Sequence, residues 1–136
     1  MFSQHNITLS PKKRGFHLID EEILQNLPSL PEVGLMVVHI LHTSAGICLN
    51  ENADPSVRVD FEQIFNKLVP ENLPFLTHTL EGPDDMPAHI KASLVGSSVQ
   101  IPIANKSLHL GTWQGVYLCE FRNQGGSRKL VVNIIS

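Results

Sequence analysis

From Gly96 onward the chain reads in twos, and that rhythm limits what it can become. Val99, Ile101 and Ile103 alternate with Ser98, Gln100 and Pro102. A strand with that pattern turns one apolar face to a core and one polar face to water. Residues 104–107 read as a turn, 108–110 as a short strand and 115–122 as a longer one. Asn123-Gln124-Gly125-Gly126-Ser127 has the composition of a hairpin turn, because glycine tolerates the positive φ such turns need. Residues 129–135 form a last strand, so the C-terminal third is a meander, which an antiparallel sheet accommodates with short connections.

The first half mixes strands with helices. Residues 5–10 alternate Ile7 and Leu9 with polar neighbours, 11–15 turn, and 15–19 give a second strand. Asp20 is placed to cap a helix over 21–27, with Glu21 and Glu22 in the first turn where the helix dipole favours acids. Pro28 and Pro31 end it. Residues 35–42 are the clearest early strand. Period two sends His39 and His42 to opposite faces, so they cannot share a metal within a regular strand. Residues 47–50 resume the strand after Thr43-Ser44-Ala45-Gly46. Asp54-Pro55 opens a second helix with Val57, Phe61, Ile64, Phe65 and Leu68 on one stripe. Residues 75–80 predict another strand, and Asp85 caps a third helix over 86–95 that stops at Gly96. The expected class is α+β, a mainly antiparallel sheet or sandwich with two to three helices. No repeat or Gly-, Ser- or Pro-rich linker divides the chain, so a single domain over 1–136 is expected.

Composition narrows the function classes. A net charge of −3 argues against a general nucleic-acid binder, so no nucleic-acid partner is expected. The longest apolar stretch, 35–41, contains His39 and falls far short of the ~20 residues of a membrane span. Two distant cysteines, Cys48 and Cys119, fit neither a disulfide framework nor a zinc ribbon and read as reduced thiols. With no secretory signal in the first residues, a cytoplasmic protein with no membrane partner is expected.

The chain has seven histidines. His42, His78 and His89 lie in polar clusters at element ends, where sites are commonly built. One reading joins them around a divalent metal with an open coordination position. The other leaves each hydrogen-bonded separately at its own loop, and no short motif such as H-E-x-x-H decides between the two. Asp85 is a helix cap, a magnesium–phosphate ligand or a partner for His89. Glu51, in a loop after a strand, is a candidate general base. Ser97 offers a hydroxyl to a phosphate or simply starts a strand. Trp113, set in Gly111-Thr112-Trp113-Gln114-Gly115, flanks a ligand or anchors an interface.

Several segments together resemble the YjbQ-like family of small proteins, often described as secondary thiamine-phosphate synthases. They are His42-Thr43-Ser44-Ala45-Gly46, Asn50-Glu51-Asn52-Ala53-Asp54-Pro55, Glu81-Gly82-Pro83-Asp84-Asp85-Met86-Pro87-Ala88-His89-Ile90-Lys91, Leu94-Val95-Gly96-Ser97-Ser98 and Gly111-Thr112-Trp113-Gln114-Gly115-Val116-Tyr117. The resemblance implies a two-sheet α+β fold, a homotrimer with pockets near the subunit boundaries, and a metal site, zinc in some relatives. Carried onto this sequence, it implies metal ligation by His42, His78 and His89; beside them, catalytic roles are expected for Glu51 and Asp85, and ligand contacts from Asn52, Ser97, Trp113 and Gln114. It further implies a metal-dependent enzyme acting on a small phosphorylated metabolite, with thiamine-phosphate synthase activity, and magnesium as a cofactor beside such a substrate. A non-catalytic trimeric module that binds a metal or a small ligand is the alternative.

Overall fold

The computed structural model describes residues 1–136. In chain order the elements are β1 (Phe2–Thr8), β2 (Gly15–Leu18), α1 (Asp20–Gln25), β3 (Val33–Ile40), β4 (Ala45–Glu51), α2 (Pro55–Leu68), α3 (Asp85–Val95), β5 (Ser98–Ala104), β6 (Ser107–Leu108), β7 (Gln114–Glu120) and β8 (Lys129–Ile135). They build two antiparallel sheets, ordered β1-β8-β3-β5-β6 and β2-β7-β4. The α+β class and the two-sheet arrangement are therefore present.

The alternation of the strands assigns the layers. Met36, Val38 and Ile40 of β3, Ile101 and Ile103 of β5, and Leu130, Val132 and Ile134 of β8 point inward from the larger sheet. They meet Ala45 and Ile47 of β4 and Val116 and Leu118 of β7 from the smaller one. Each such fully buried aliphatic side chain contributes roughly 1.5–3 kcal/mol by leaving water. The smaller sheet is covered on its other face as well. Tyr117 and Cys119 of β7 and Phe16 of β2 pack against Ala88 and Ala92 of α3, with Phe61 and Phe65 of α2 closing the cluster. Phe16 is its hub, stacked on Phe61 at 5.1 Å and edge-on to Phe121 at 5.8 Å. Burial on both faces explains why β7 reads as a near-continuous apolar run.

Helix α3 comes to rest on β4 at Gly46. A Cβ there would lie 2.9 Å from the Gly96 carbonyl oxygen and 2.9 Å from a Val95 methyl. Only a residue without a side chain lets the end of the helix approach the strand so closely.

Several sequence expectations require correction. β3 ends at Ile40, so His42 lies beyond the strand. Residues 75–80 form no strand, and Phe75 and Leu80 stand exposed in the irregular segment between α2 and α3. Asp20 is inside α1 and does not cap it; its Oδ1 accepts the Val116 N–H at 2.8 Å, tying α1 to β7. Asp85 is likewise the first residue of α3 and not its cap. Asp54 does cap α2, accepting from the Ser56 N–H at 2.9 Å. The α2 stripe is wider than the face that packs: Phe61 and Phe65 reach the aromatic cluster, while Ile64 and Leu68 remain exposed.

Candidate metal centre

α3 carries Asp85 and His89 one turn apart, and i,i+4 spacing puts them on the same helical face. The irregular segment before the helix brings His78 to the same point. The Nε2 of His78 lies 2.6 Å from Asp85 Oδ2, and the Nε2 of His89 lies 3.1 Å from the same oxygen. The two rings are 5.4 Å apart between centroids. One potential ligand atom from each of the three residues lies within 4.8 Å of the others. Asp85 is buried, with its side chain 2% exposed, while those of His78 and His89 are 47% and 30% exposed.

Arg122, just past β7, holds the base of this cluster. Its Nη1 donates to Asp85 Oδ1 at 2.5 Å, its Nε to Asp84 Oδ2 at 2.9 Å and its Nη2 to the Glu81 carbonyl at 2.9 Å. The Asn123 N–H also donates to Asp84. Burial alone would raise the Asp85 carboxyl, but the His78 hydrogen bond and the charges of Arg122 and His89 outweigh it and hold it below its ordinary value. Asp84 is lowered in the same way: burial opposes, and the Asn123 N–H and Arg122 prevail. The guanidinium is itself raised, first by its hydrogen bond to Asp84.

The neighbours of His89 fix its ring at both nitrogens. Its Nδ1 is 3.0 Å from the Thr43 carbonyl oxygen, which only accepts, so Nδ1 carries a proton. Nε2 faces Asp85 Oδ2, which likewise only accepts, so that contact needs a proton or a cation between the two atoms. A ring N–H held by a backbone carbonyl, with the other nitrogen directed at a point where a cation can sit, is the usual arrangement of a metal-binding imidazole. Two imidazole nitrogens and a carboxylate oxygen are also a donor set suited to zinc. The residues therefore fit a divalent cation.

His42 does not join this group. Its Nε2 accepts the Lys129 N–H at 2.9 Å, which occupies that lone pair and leaves the proton on Nδ1. Burial first, then the positive charge of Arg128, lowers its pKa and keeps the ring neutral. His42 instead lines an open hollow of about 410 Å³ with Thr43, Ser93 and Ser97. Thr43 links that hollow to His89. On the other side, His78 lines a cavity of about 290 Å³ with Leu73, Leu76, Thr79 and Met86.

The remaining expected site residues lie elsewhere in the chain. Ala45 and Glu51 are opposite ends of β4, about 20 Å apart at strand rise. The Glu51 end holds Asn52, Trp113 and Gln114. Glu51 accepts the Ala53 and Asp54 N–H groups, at 3.0 and 2.9 Å, and braces its own loop. Asn52 Nδ2 donates to the Gln114 carbonyl at 3.0 Å, and Gln114 Oε1 accepts the Gly111 N–H at 2.9 Å. Trp113 projects into solvent. These groups shape a corner, and within one chain they do not approach the imidazoles. Arg122 is the site residue that sequence reasoning left without a role. Nothing in its spacing from Asp85 announces the contact, since 37 residues separate them.

The fold and site together define a small two-sheet α+β protein with a His–Asp–His cluster at the start of one helix. The chain belongs to the family described as UPF0047 protein YjbQ-like, whose model matches residues 5–136. It is 51% identical over 136 residues to the UPF0047 protein YjbQ of Salmonella typhimurium LT2 and 46% identical to that of Escherichia coli O157:H7, covering 98% of each chain in both comparisons. Among solved structures, a YjbQ/UPF0047 family protein from Clostridium acetobutylicum matches with a TM-score of 0.75 at 37% identity, over 98% of this chain and 99% of that one. A conserved hypothetical protein from Thermus thermophilus matches with a TM-score of 0.82 at 29% identity, over 93% of this chain and 96% of that one.

Proposed function

We propose that His78, Asp85 and His89 hold a divalent cation, zinc in the first place, and that the protein acts there on a small phosphorylated metabolite. The observation that carries this reading is the His89 ring, fixed through Nδ1 by the Thr43 carbonyl with its other nitrogen directed at a carboxylate and a second imidazole. A bound cation would supply charge neutralisation for phosphate oxygens and polarise an attached oxygen. The chain's own residues do the rest. Arg122 keeps Asp85 ionised and aimed. His78, half in solvent at the cavity edge, is placed to meet a ligand entering it. Thr43 and Ser97 offer polar groups in the adjoining hollow. Thiamine-phosphate synthase activity, joining a pyrimidine pyrophosphate to a thiazole phosphate, is the specific reaction that the family resemblance brings to this reading. A homotrimer belongs to the same proposal, and Val59, Ile64 and Leu68, exposed along α2, offer apolar surface for contact between copies.

Elemental analysis of protein purified from metal-replete medium tests the reading. About one zinc per chain is expected, lost in His89→Ala and Asp85→Asn while the circular dichroism spectrum is kept. Metal-free wild type, or full metal content in both variants, refutes the site. Metal without turnover in assays for thiamine-phosphate synthesis and phosphoester reactions refutes the enzyme and supports the non-catalytic module.

A further inference from the structure

The two cysteines play no part in the metal reading, yet the fold brings them together. β4 and β7 are antiparallel neighbours in which Gly46 faces Cys119 and Cys48 faces Tyr117. Cys48 and Cys119 are thus diagonal neighbours on the helix-covered face of the smaller sheet. The residue directly opposite Cys119 is Gly46, which has no side chain to stand between the two thiols. The two Sγ atoms are 3.6 Å apart, in van der Waals contact and within range of an S–H···S hydrogen bond.

The pair is asymmetric. Cys119 is fully buried, while Cys48 is half-buried at the rim of the aromatic cluster. Either sulfur can donate in that contact, and with the proton on the more deeply buried Cys119 the bond stabilises a Cys48 thiolate. That hydrogen bond lowers the Cys48 thiol against the opposing effect of burial. The same bond, with burial, pushes Cys119 well above the ordinary thiol value. A thiol that is both reachable and thiolate-prone is a nucleophile, and a protonated thiol beside it suits a resolving partner.

We propose that Cys48 is a modification site, oxidised by hydroperoxides, and that Cys119 resolves the product into an intramolecular disulfide. The Cys48 thiolate attacks the distal peroxide oxygen. The O–O bond breaks, sulfur is oxidised by two electrons to a sulfenic acid, and the peroxide leaves, after taking up a proton, as an alcohol, or as water from hydrogen peroxide. The Cys119 sulfur then attacks the Cys48 sulfur. The S–O bond breaks, and hydroxide departs with the Cys119 proton as water. The sulfurs must close by about a further 1.5 Å to bond, and Cys119 is held as a thiol, so the second step is the slow one.

The experiment treats the native protein with hydrogen peroxide, quenches it in acid with an alkylating agent, and reads the unreduced digest by mass spectrometry. A Cys48–Cys119 cross-linked peptide pair, reversed by dithiothreitol, is expected in the wild type. Cys119→Ser stops at a sulfenic acid on Cys48 that dimedone captures, and Cys48→Ser leaves Cys119 unmodified. Brief alkylation of untreated protein labels Cys48 at least about tenfold faster than Cys119. No cross-linked pair in the wild type, or faster labelling of Cys119, overturns the proposal. Neither readout depends on bound metal, so the outcome is separable from that of the metal assay.

Discussion

Two arginines beyond the end of β7, six residues apart, make opposite uses of the same chemistry. Arg128 is buried. Its Nε and Nη2 donate to the two oxygens of Glu120 at 2.7 and 2.5 Å, and Nη2 also reaches Ser44 Oγ at 3.0 Å. Glu120 accepts the Arg122 N–H as well, at 3.2 Å. Both charges are taken up locally, and the loop over them is so tight that a Cβ at Gly125 would sit 2.0 Å from a Glu120 oxygen. Arg122 engages only one oxygen of Asp85 and leaves the other to two imidazoles at the edge of a cavity. A closed pair holds architecture together. A pair left open on one side keeps bonding capacity for something that arrives later. Carboxylate–arginine contacts therefore have to be read by where their remaining lone pairs point.

Unpairing the closed side gives the largest expected effect. Arg128→Ala leaves Glu120 buried without its counter-charge and should cost about 3–5 kcal/mol, read by urea unfolding. A loss within the range of an ordinary surface substitution would erase the contrast. On the open side, Arg122→Ala should weaken zinc binding about 10–100-fold by titration calorimetry, because Asp85 loses the group that aims it. Unchanged affinity would make Arg122 as purely architectural as Arg128. The smallest effect lies in the pH dependence of unfolding. The folded pKa of His42 is below its unfolded value, so its contribution is present above about pH 6.5 and is lost as the pH falls below that. Asp84 and Asp85 are also lowered, so theirs persists further down, above about pH 4, and is lost as the pH falls through their folded values. His42→Gln removes the upper part of the slope and leaves the lower part. An unaltered slope would show that His42 titrates as in the unfolded chain.

The strands with one wet face are legible from residue pattern alone, as the inward Ile101 and Ile103 of β5 show. So is the α2 cap, because Asp54-Pro55 is a local signal. Asp20 and Asp85 carry the same local signal, and tertiary contacts with β7 and Arg122 override it. Residues 75–80 mislead because a short apolar run carries no information about whether a neighbouring strand exists to pair with it. At the site, Asp85 and His89 are readable as helix neighbours. The position of His42 turns on where β3 stops, which depends on pairing with β5 and β8 and not on its own residues. The Arg122 contact depends on the assembled sheet and leaves no local trace.

The bare backbone at Gly46 acts at a distance. α3 spans 11 residues, roughly 16 Å of helix, pinned to β4 at its far end and bearing Asp85 at its near end. The helix is a lever and Gly46 its fulcrum. A single methyl group wedged under the pivot would swing the carboxylate and the His89 ring away from His78, so the aim of the cluster is set by a residue that touches none of its members.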